Sequence, residues 1–245
     1  MKILTWNIFA LPWWRTFGRS PPEKRIDNII EILLDLKADI ICLQEVFTDT
    51  ISNKLEIELE KNGYFVINNF VTKKKKNIRN YIEPQSYKSG LFFASKIKPI
   101  FSEFFPYKNS FGEDSLISKG YGKIQMKDSI NIYLTHMQAN VKIPSFNSKN
   151  YSIETRKLQL EQLLKDLKKN EKNIIIGDLN IRRKTEEFNN LKTSLLKDYN
   201  NTIINKNNDL DYIIFLNFYS KIKYKLVDYN KLSDHPLLLA KIYEE

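Results

Sequence analysis

Asn173-Ile174-Ile175-Ile176-Gly177-Asp178-Leu179-Asn180 joins a short, wholly apolar run to a glycine and then to two side chains able to bind a metal ion or a phosphate. Three consecutive isoleucines suit a strand covered on both faces. Gly177 permits a tight backbone or a close approach, and Asp178 and Asn180 would emerge just past the strand's C-terminal end. The segment therefore reads as a buried strand delivering polar groups to one edge of a sheet. A capped turn, with Asp178 and Asn180 bonding nearby backbone, accounts for the same residues.

Working outward, residues 2–8 read as a strand ending at Asn7, followed by an apolar stretch, 9–14, too short and too proline-broken for a helix. Ser20-Pro21-Pro22-Glu23 starts a helix with Ile26, Ile29, Ile30, Leu33 and Leu34 on one face, ending near Lys37. A buried strand over 39–46 carries Gln44-Glu45 at its end, and an amphipathic helix over 50–62 is closed by Gly63. Short strands separated by polar turns come next, at 64–71, 90–95, 99–105, 120–126 and 130–135, and read as antiparallel neighbours. Helical spacing over 151–169 runs through Ile153, Leu160, Leu163, Leu164 and Leu167. After the Asn173 strand come a helix over 185–196, an apolar run over 210–216 and a last strand over 236–242. This order predicts an α/β sandwich, two packed mixed sheets with helices outside.

The chain of 245 residues has no Pro/Gly/Ser-rich linker and no internal repeat, so one domain over 1–245 is expected. Its apolar runs are too short to span a bilayer as helices. The single cysteine, Cys42, lies in an apolar run and reads as a core residue; no disulfide can form within the chain. No signal-peptide pattern precedes the first strand, which fits a cytoplasmic or peripheral protein, or a trimmed secreted product. A net charge of +10 would attract nucleic acid, an anionic membrane or a phosphorylated small substrate without choosing among them. The densest basic cluster, Lys73-Lys74-Lys75-Lys76 with Arg79, reads as a solvated loop.

Four strands end in short polar clusters: Trp6-Asn7, Gln44-Glu45, Thr135-His136 and Gly177-Asp178-Leu179-Asn180. A fifth, Ser233-Asp234-His235-Pro236, precedes the final strand, and the chain's two histidines both fall in these clusters. Hydrolysis of a phosphodiester calls for a hard divalent cation on a nonbridging oxygen, and Glu45 and Asn7 are oxygen ligands suited to Mg²⁺. It also calls for a base, for which His235 beside Asp234 is the candidate, and for a donor such as His136 or Asn180 to the charge at phosphorus. Each residue alone has an ordinary structural account; their coincidence favours one site. No thiolate or histidine cluster supports zinc.

With Leu210-Asp211-Tyr212-Ile213 added, this ordered set resembles the endonuclease/exonuclease/phosphatase (DNase I-like) superfamily. That superfamily includes DNase I-like nucleases, apurinic endonucleases, inositol polyphosphate 5-phosphatases and neutral sphingomyelinases. Three elements are similar to the neutral and bacterial sphingomyelinases: residues 90–96, the D-x4-K-G pattern of Asp114, Lys119 and Gly120, and Thr135-His136-Met137-Gln138-Ala139. The resemblance implies a four-layer α/β sandwich and a Mg²⁺-dependent phosphodiesterase, with Mn²⁺ or Co²⁺ as substitutes. By position, Asn7 and Glu45 would hold the metal and His235 would activate water. Asp178 and Asn180 would orient water and phosphate, and His136 would stabilise the transition state. Asp234 would sit beside the metal or His235, Asp114 and Lys119 would act near the scissile phosphate, and Asp211 would be a supporting carboxylate.

The bacterial enzymes enter membranes with a long aromatic hairpin, and the matching interval here, 215–232, is short. Phe9, Leu11, Trp13 and Trp14 offer a substitute lipid contact, or else pack on the body of the protein. The expected activity is release of phosphocholine and ceramide from sphingomyelin by a peripheral monomer. Nucleic acid on the same fold is the alternative substrate, a phosphoinositide or other phospholipid lies between, and a binding module without turnover is a third class.

Overall fold

Side-chain alternation along the first strand, β1 (Lys2–Ala10), sorts the molecule into layers. Ile3 joins Ile40, Cys42 and Phe93 in a core between two sheets. Leu4, Trp6 and Ile8 instead join a core beneath helices α1 (Ile26–Leu36) and α2 (Asp49–Lys61). Successive Cβ atoms of a strand point to opposite faces, so one strand feeds both cores. The computed structural model describes residues 1–12, 21–71, 88–141, 148–205, 210–229 and 231–243.

Among these residues the first sheet has the order β11-β12-β1-β2-β4-β3 and the second β5-β6-β7-β8-β10-β9. The first is built from β1, β2 (Ile40–Val46), β3 (Phe65–Ile67), β4 (Phe92–Ser95), β11 (Lys221–Val227) and β12 (Leu237–Tyr243). The second contains β5 (Phe101–Pro106), β6 (Gly120–Gln125), β7 (Ile130–His136), β8 (Lys172–Asp178), β9 (Asn201–Ile204) and β10 (Asp211–Leu216). A third core packs Leu160 and Leu163 of α3 (Ser148–Lys165) and Phe188, Leu191 and Leu195 of α4 (Glu186–Leu196) on Tyr133, Ile175 and Ile214. Helices, sheet, sheet and helices thus form the four layers of a DNase I-like α/β sandwich. Cys42 is a free thiol buried between the sheets.

At the centre of each sheet two parallel strands are joined through a helix, β1-α1-β2 in one and β7-α3-β8 in the other. Parallel neighbours need such a crossover. β12 then lies antiparallel to β1, and β10 antiparallel to β8. The C-terminal ends of the parallel strands therefore share an edge with the N-terminal ends of β10 and β12.

Some boundaries differ from expectation. The 151–169 helix starts at Ser148 and leaves α-geometry after Lys165, where Asp166 and Leu167 donate to the carbonyls three residues back. The 64–71 strand shortens to β3 plus a lone bridge between Val71 and Lys88. Two strands, β9 and β11, were not anticipated. Alternation in Lys221-Ile222-Lys223-Tyr224-Lys225-Leu226 was a usable signal for β11, and lysine on an edge strand blocks further pairing. The lysine cluster at 73–76 with Arg79 lies outside the described residues. No described helix is long and apolar enough to cross a membrane.

Candidate active site

The core between the sheets is apolar until the strands reach one edge, where it turns polar. Along that face β1 presents Ile3, Thr5 and Asn7, β2 presents Ile40, Cys42 and Gln44, and β7 presents Ile132, Leu134 and His136. β8 presents Ile174, Ile176 and Asp178, while β10, running the other way, begins with Asp211 before Ile213 and Phe215. The two-residue period that buries the aliphatic side chains also aims Asn7, Gln44, His136, Asp178 and Asp211 into the same layer, and all five are buried.

These groups meet. Asn7 Nδ2 donates to Glu45 Oε1 at 2.9 Å and to Asp178 Oδ2 at 3.3 Å, linking the two sheets. His136 Nε2 lies 3.6 Å from Asp178 Oδ2 and 4.0 Å from Glu45 Oε1. His235 Nδ1 and Asp211 Oδ2 are hydrogen-bonded at 2.6 Å, and His235 Nε2 lies 3.9 Å from Asp178 Oδ2. Both accounts of the Gly177-Asp178-Leu179-Asn180 stretch hold at once. Asp178 Oδ1 accepts from the Asn180 backbone N–H at 2.8 Å, as in a local turn, while Oδ2 faces the cluster. Asn180 Nδ2 donates to Met137 O at 3.1 Å, bridging the loops after β7 and β8.

Glu45 arrives by a different route. Strict alternation would turn it away from Gln44's face, toward the helices. Its φ of +61° breaks the alternation, so that Glu45 reaches Asn7 and Val46 falls into the core under the helices. Opposite it, Phe9 has φ of +50° and the β1–β2 register shifts between Asn7 and Ala10. Such conformations cost side-chain-bearing residues about 1–3 kcal/mol each and concentrate at functional sites.

Trp6 and Ser233, to which the motifs assigned no role, and Arg25, which no motif contains, hold the His235 segment. Ser233 Oγ donates to Asn7 O at 2.6 Å and accepts from the His235 backbone N–H at 3.1 Å, and Trp6 Nε1 donates to His235 O at 2.9 Å. The buried Arg25 guanidinium donates to the carbonyls of Ile8 (3.0 Å), Phe9 (2.7 Å) and Leu232, tying the end of β1 to the chain just before Ser233. No local sequence signal marks Arg25, whose acceptors lie on segments distant along the chain.

Burial and crowding shift the titrating groups. Desolvation, with the neighbouring Asp211 charge, pushes the Asp178 carboxyl up to about 7, and desolvation raises Glu45. Burial opposes charge on His235, yet the hydrogen bond to Asp211 and the charges of Asp211, Asp178 and Asp234 outweigh it and raise His235 to about 10. His136 goes the other way. Burial, with Lys119 and His235 nearby, holds its pKa well below the ordinary value, so its imidazole is neutral.

Lys119 and Asp234 lie close enough to this cluster for their charges to act on it. Lys119 and Asp114 form an ion pair at 3.0 Å inside the wall. Lys119 Nζ also donates to Met137 O at 2.6 Å, and Asp114 Oδ2 accepts from Ala139 N–H at 2.7 Å. The pair fastens the loop after β7, and these partners take two of the ammonium's three donors. Asp234 is exposed, and the partner of His235 is Asp211 instead, brought there by the pairing of β10 with β8. Phe9 is half-buried at the β1 irregularity, and Trp13 and Trp14 lie outside the described residues.

The donor set fits a divalent cation. Glu45 Oε2 and Asp211 Oδ1 are buried carboxylate oxygens without a hydrogen-bond partner among the described residues, and a cation would satisfy such lone pairs. Asn7 Oδ1 accepts only from Phe9 N–H, at 3.1 Å, among these residues, so an amide oxygen with a spare lone pair stands beside Glu45. Asp178, Asp211 and His235 form a second possible metal-binding group, with ligand atoms within 4.8 Å of one another. Hard oxygen donors dominate the shared wall.

Similar proteins agree with this architecture. Over 210 residues, 77% of this chain, the sequence is 24% identical to sphingomyelinase C 2 of Leptospira interrogans serogroup Icterohaemorrhagiae serovar Lai (strain 56601). The chain spans 32% of that relative's length, and 10% of the length of an uncharacterized protein from Dictyostelium discoideum. A structure of beta toxin from Staphylococcus aureus with bound magnesium ions superposes with a TM-score of 0.76 at 19% identity, over 98% of both chains. An AP endonuclease from Archaeoglobus fulgidus does so with a TM-score of 0.66 at 17% identity, over 99% of both. Those likenesses concern the fold. Residues 4–235 match the endonuclease/exonuclease/phosphatase family from the first strand to the His235 cluster, and the chain belongs to that family.

Proposed function

We propose that residues 1–245 act as one catalytic domain, a Mg²⁺-dependent phosphodiesterase that hydrolyses sphingomyelin or a related choline phospholipid to ceramide and phosphocholine. The observation that carries the proposal is the meeting of Asn7, Glu45, His136, Asp178, Asp211 and His235 at one edge of the inter-sheet layer. A hydrolase is the coarser statement that family membership supports. The lipid substrate is favoured by the sphingomyelinase relative and by the Thr135-His136-Met137-Gln138-Ala139 and Asp114–Gly120 elements.

Glu45 and Asn7 would hold the cation. Its charge would polarise a nonbridging phosphate oxygen and oppose the carboxylate field that keeps His235 protonated. His235 donates its Nδ1 proton to Asp211, which leaves Nε2 facing Asp178 as the nitrogen that accepts a proton from water. Asp178 and Asn180 orient that water and the phosphate. Neutral His136 offers an N–H to charge developing on phosphorus. Lys119, fixed in the wall, acts through its field on Glu45, His136 and Asp178.

Release of phosphocholine from sphingomyelin liposomes, lost on chelation by EDTA and restored by Mg²⁺, is the expected result. No release from well-dispersed substrate would sink the lipid reading. The net charge of +10 favours a second reading, a nuclease on the same fold. Nicking of plasmid or abasic duplex that disappears in Glu45→Gln would establish it.

A further inference from the structure

We propose that the corner of the first sheet formed by β11, β12 and the start of β1 is a docking surface for anionic lipid membranes. Strand register sets Lys2 of β1 opposite Lys241 of β12, and Lys241 opposite Lys223 of β11. Lys221 and Lys225 flank Lys223 on the same strand face. Five lysines therefore share the face that carries Leu237 and Leu239, on strands about 4.8 Å apart with about 6.8 Å between alternate residues. Lys221, Lys223, Lys225 and Lys241 are exposed, whereas half-buried Lys2 gives its Nζ to Leu36 O at the end of α1. Lys241 and Lys223 place their ammonium groups 4.8 and 5.5 Å from the centroid of the Tyr243 ring.

No described carboxylate forms an ion pair with any of the five; Glu244 and Glu245, next in the chain, lie outside the described residues. Like charges directly opposite one another destabilise a sheet. Lysine on an edge strand has a protective use, which covers β11. It does not cover Lys241 and Lys2, whose strands are paired on both sides. Among the described residues Asp39 supplies a compensating charge, its Oδ2 accepting from the Lys2 backbone N–H at 2.7 Å, so the four exposed ammonium groups face outward and suit an anionic partner.

The shape of the array selects the partner. Single-stranded nucleic acid is held in grooves with aromatic stacking platforms, whereas these ammonium groups stand on a broad sheet face. Tyr224 of the edge strand β11 is 52% exposed, on the opposite face from the lysines by alternation, and tyrosine is a residue of the membrane–water interface. Lys223 and Lys241 lie four residues from the Val227–Leu237 pair that leads to His235, about 13 Å along the strands. The patch would tether the protein without entering the chemistry, and the inference stands whichever phosphodiester is the substrate.

Co-sedimentation of the full chain with phosphatidylcholine vesicles, with and without about one part in four of phosphatidylserine, tests the assignment. Binding should require phosphatidylserine and weaken as salt shortens the Debye length. Each Lys→Gln change among Lys221, Lys223, Lys225 and Lys241 should lower the partition coefficient about fivefold, while thermal stability holds or rises because repulsion is relieved. A variant with Lys73, Lys74, Lys75 and Lys76 all changed to Gln matches the loss of net charge and should keep binding. Equal binding to pure phosphatidylcholine, equal loss in both quadruple variants, or no binding by the parent would overturn the proposal. So would tighter capture of single-stranded oligonucleotide than of phosphatidylserine vesicles, abolished in the patch variant.

Discussion

The two crossover units, β1-α1-β2 and β7-α3-β8, bring polar groups to the same edge by different means. In the second unit the register runs unbroken from the Ile130–Lys172 pair to His136–Asp178, so alternation alone delivers His136 and Asp178. In the first the register breaks after Asn7, and positive φ at Phe9 and Glu45 swings a carboxylate to the face that alternation denies it. A regular strand pair thus supplies the histidine and acid, and a strained pair supplies the oxygen ligands. The difference teaches that one half of the site is as rigid as its sheet, whereas the other depends on groups that hold an irregular backbone, Arg25 and Ser233 among them.

Gly177→Ala should break the comparison most severely. An added Cβ would lie 2.0 Å from Thr135 O, at a φ of +130°, so β7 and β8 cannot stay paired. A loss above about 4 kcal/mol is expected in urea unfolding. Gly63→Ala, in open space at φ of +80°, should cost about 1 kcal/mol and serves as the control.

His235→Ala should lower kcat about a thousandfold, measured on the released phosphate ester, and should also lower the melting temperature because Asp211 loses its buried partner. Asp211→Asn should fall about ten- to a hundredfold. Because Asp211 is the chief group raising His235, the acidic limb of the kcat/KM profile should also move to lower pH in that variant. An unmoved limb would deny His235 the role of base. Arg25→Lys probes the strained half. It keeps the charge but loses the fork that grips three carbonyls, and should cost about 2 kcal/mol of stability and about tenfold in kcat.

A last effect concerns pH. The Asp178 carboxyl is raised from 3.8 to about 7, so the folded state binds the extra proton between those values. Its stabilising contribution is complete below pH 3.8 and declines as pH rises through about 7. Thermal melts in EDTA should show that decline in the parent, and Asp178→Asn should flatten it over the same interval.

Much of this was legible before folding was considered. The triple isoleucine, the helix faces and the polar strand ends are local patterns with periods of 2 and 3.6, and most of the elements fall where those periods place them. That these polar strand ends would meet was legible because polar residues at strand ends have few neighbours to choose from. The site's wiring was not. Asp234 lies next to His235 in sequence, yet the imidazole bonds Asp211, 24 residues away. Lys119 pairs with Asp114, but its hydrogen bond to Met137 O, 18 residues on, has no local signal.

The sequence by itself determined which side chains alternate inward and where each apolar run gives way to polar groups, since both depend on a few consecutive residues. Only the tertiary structure decided which strands became neighbours, and with them the Asn7–Asp178 bridge, the Asp211 partner of His235 and the lysine row across three strands. It also decided the reversed backbone at Glu45, a conformation with no local preference behind it, held by contacts between segments far apart in the chain.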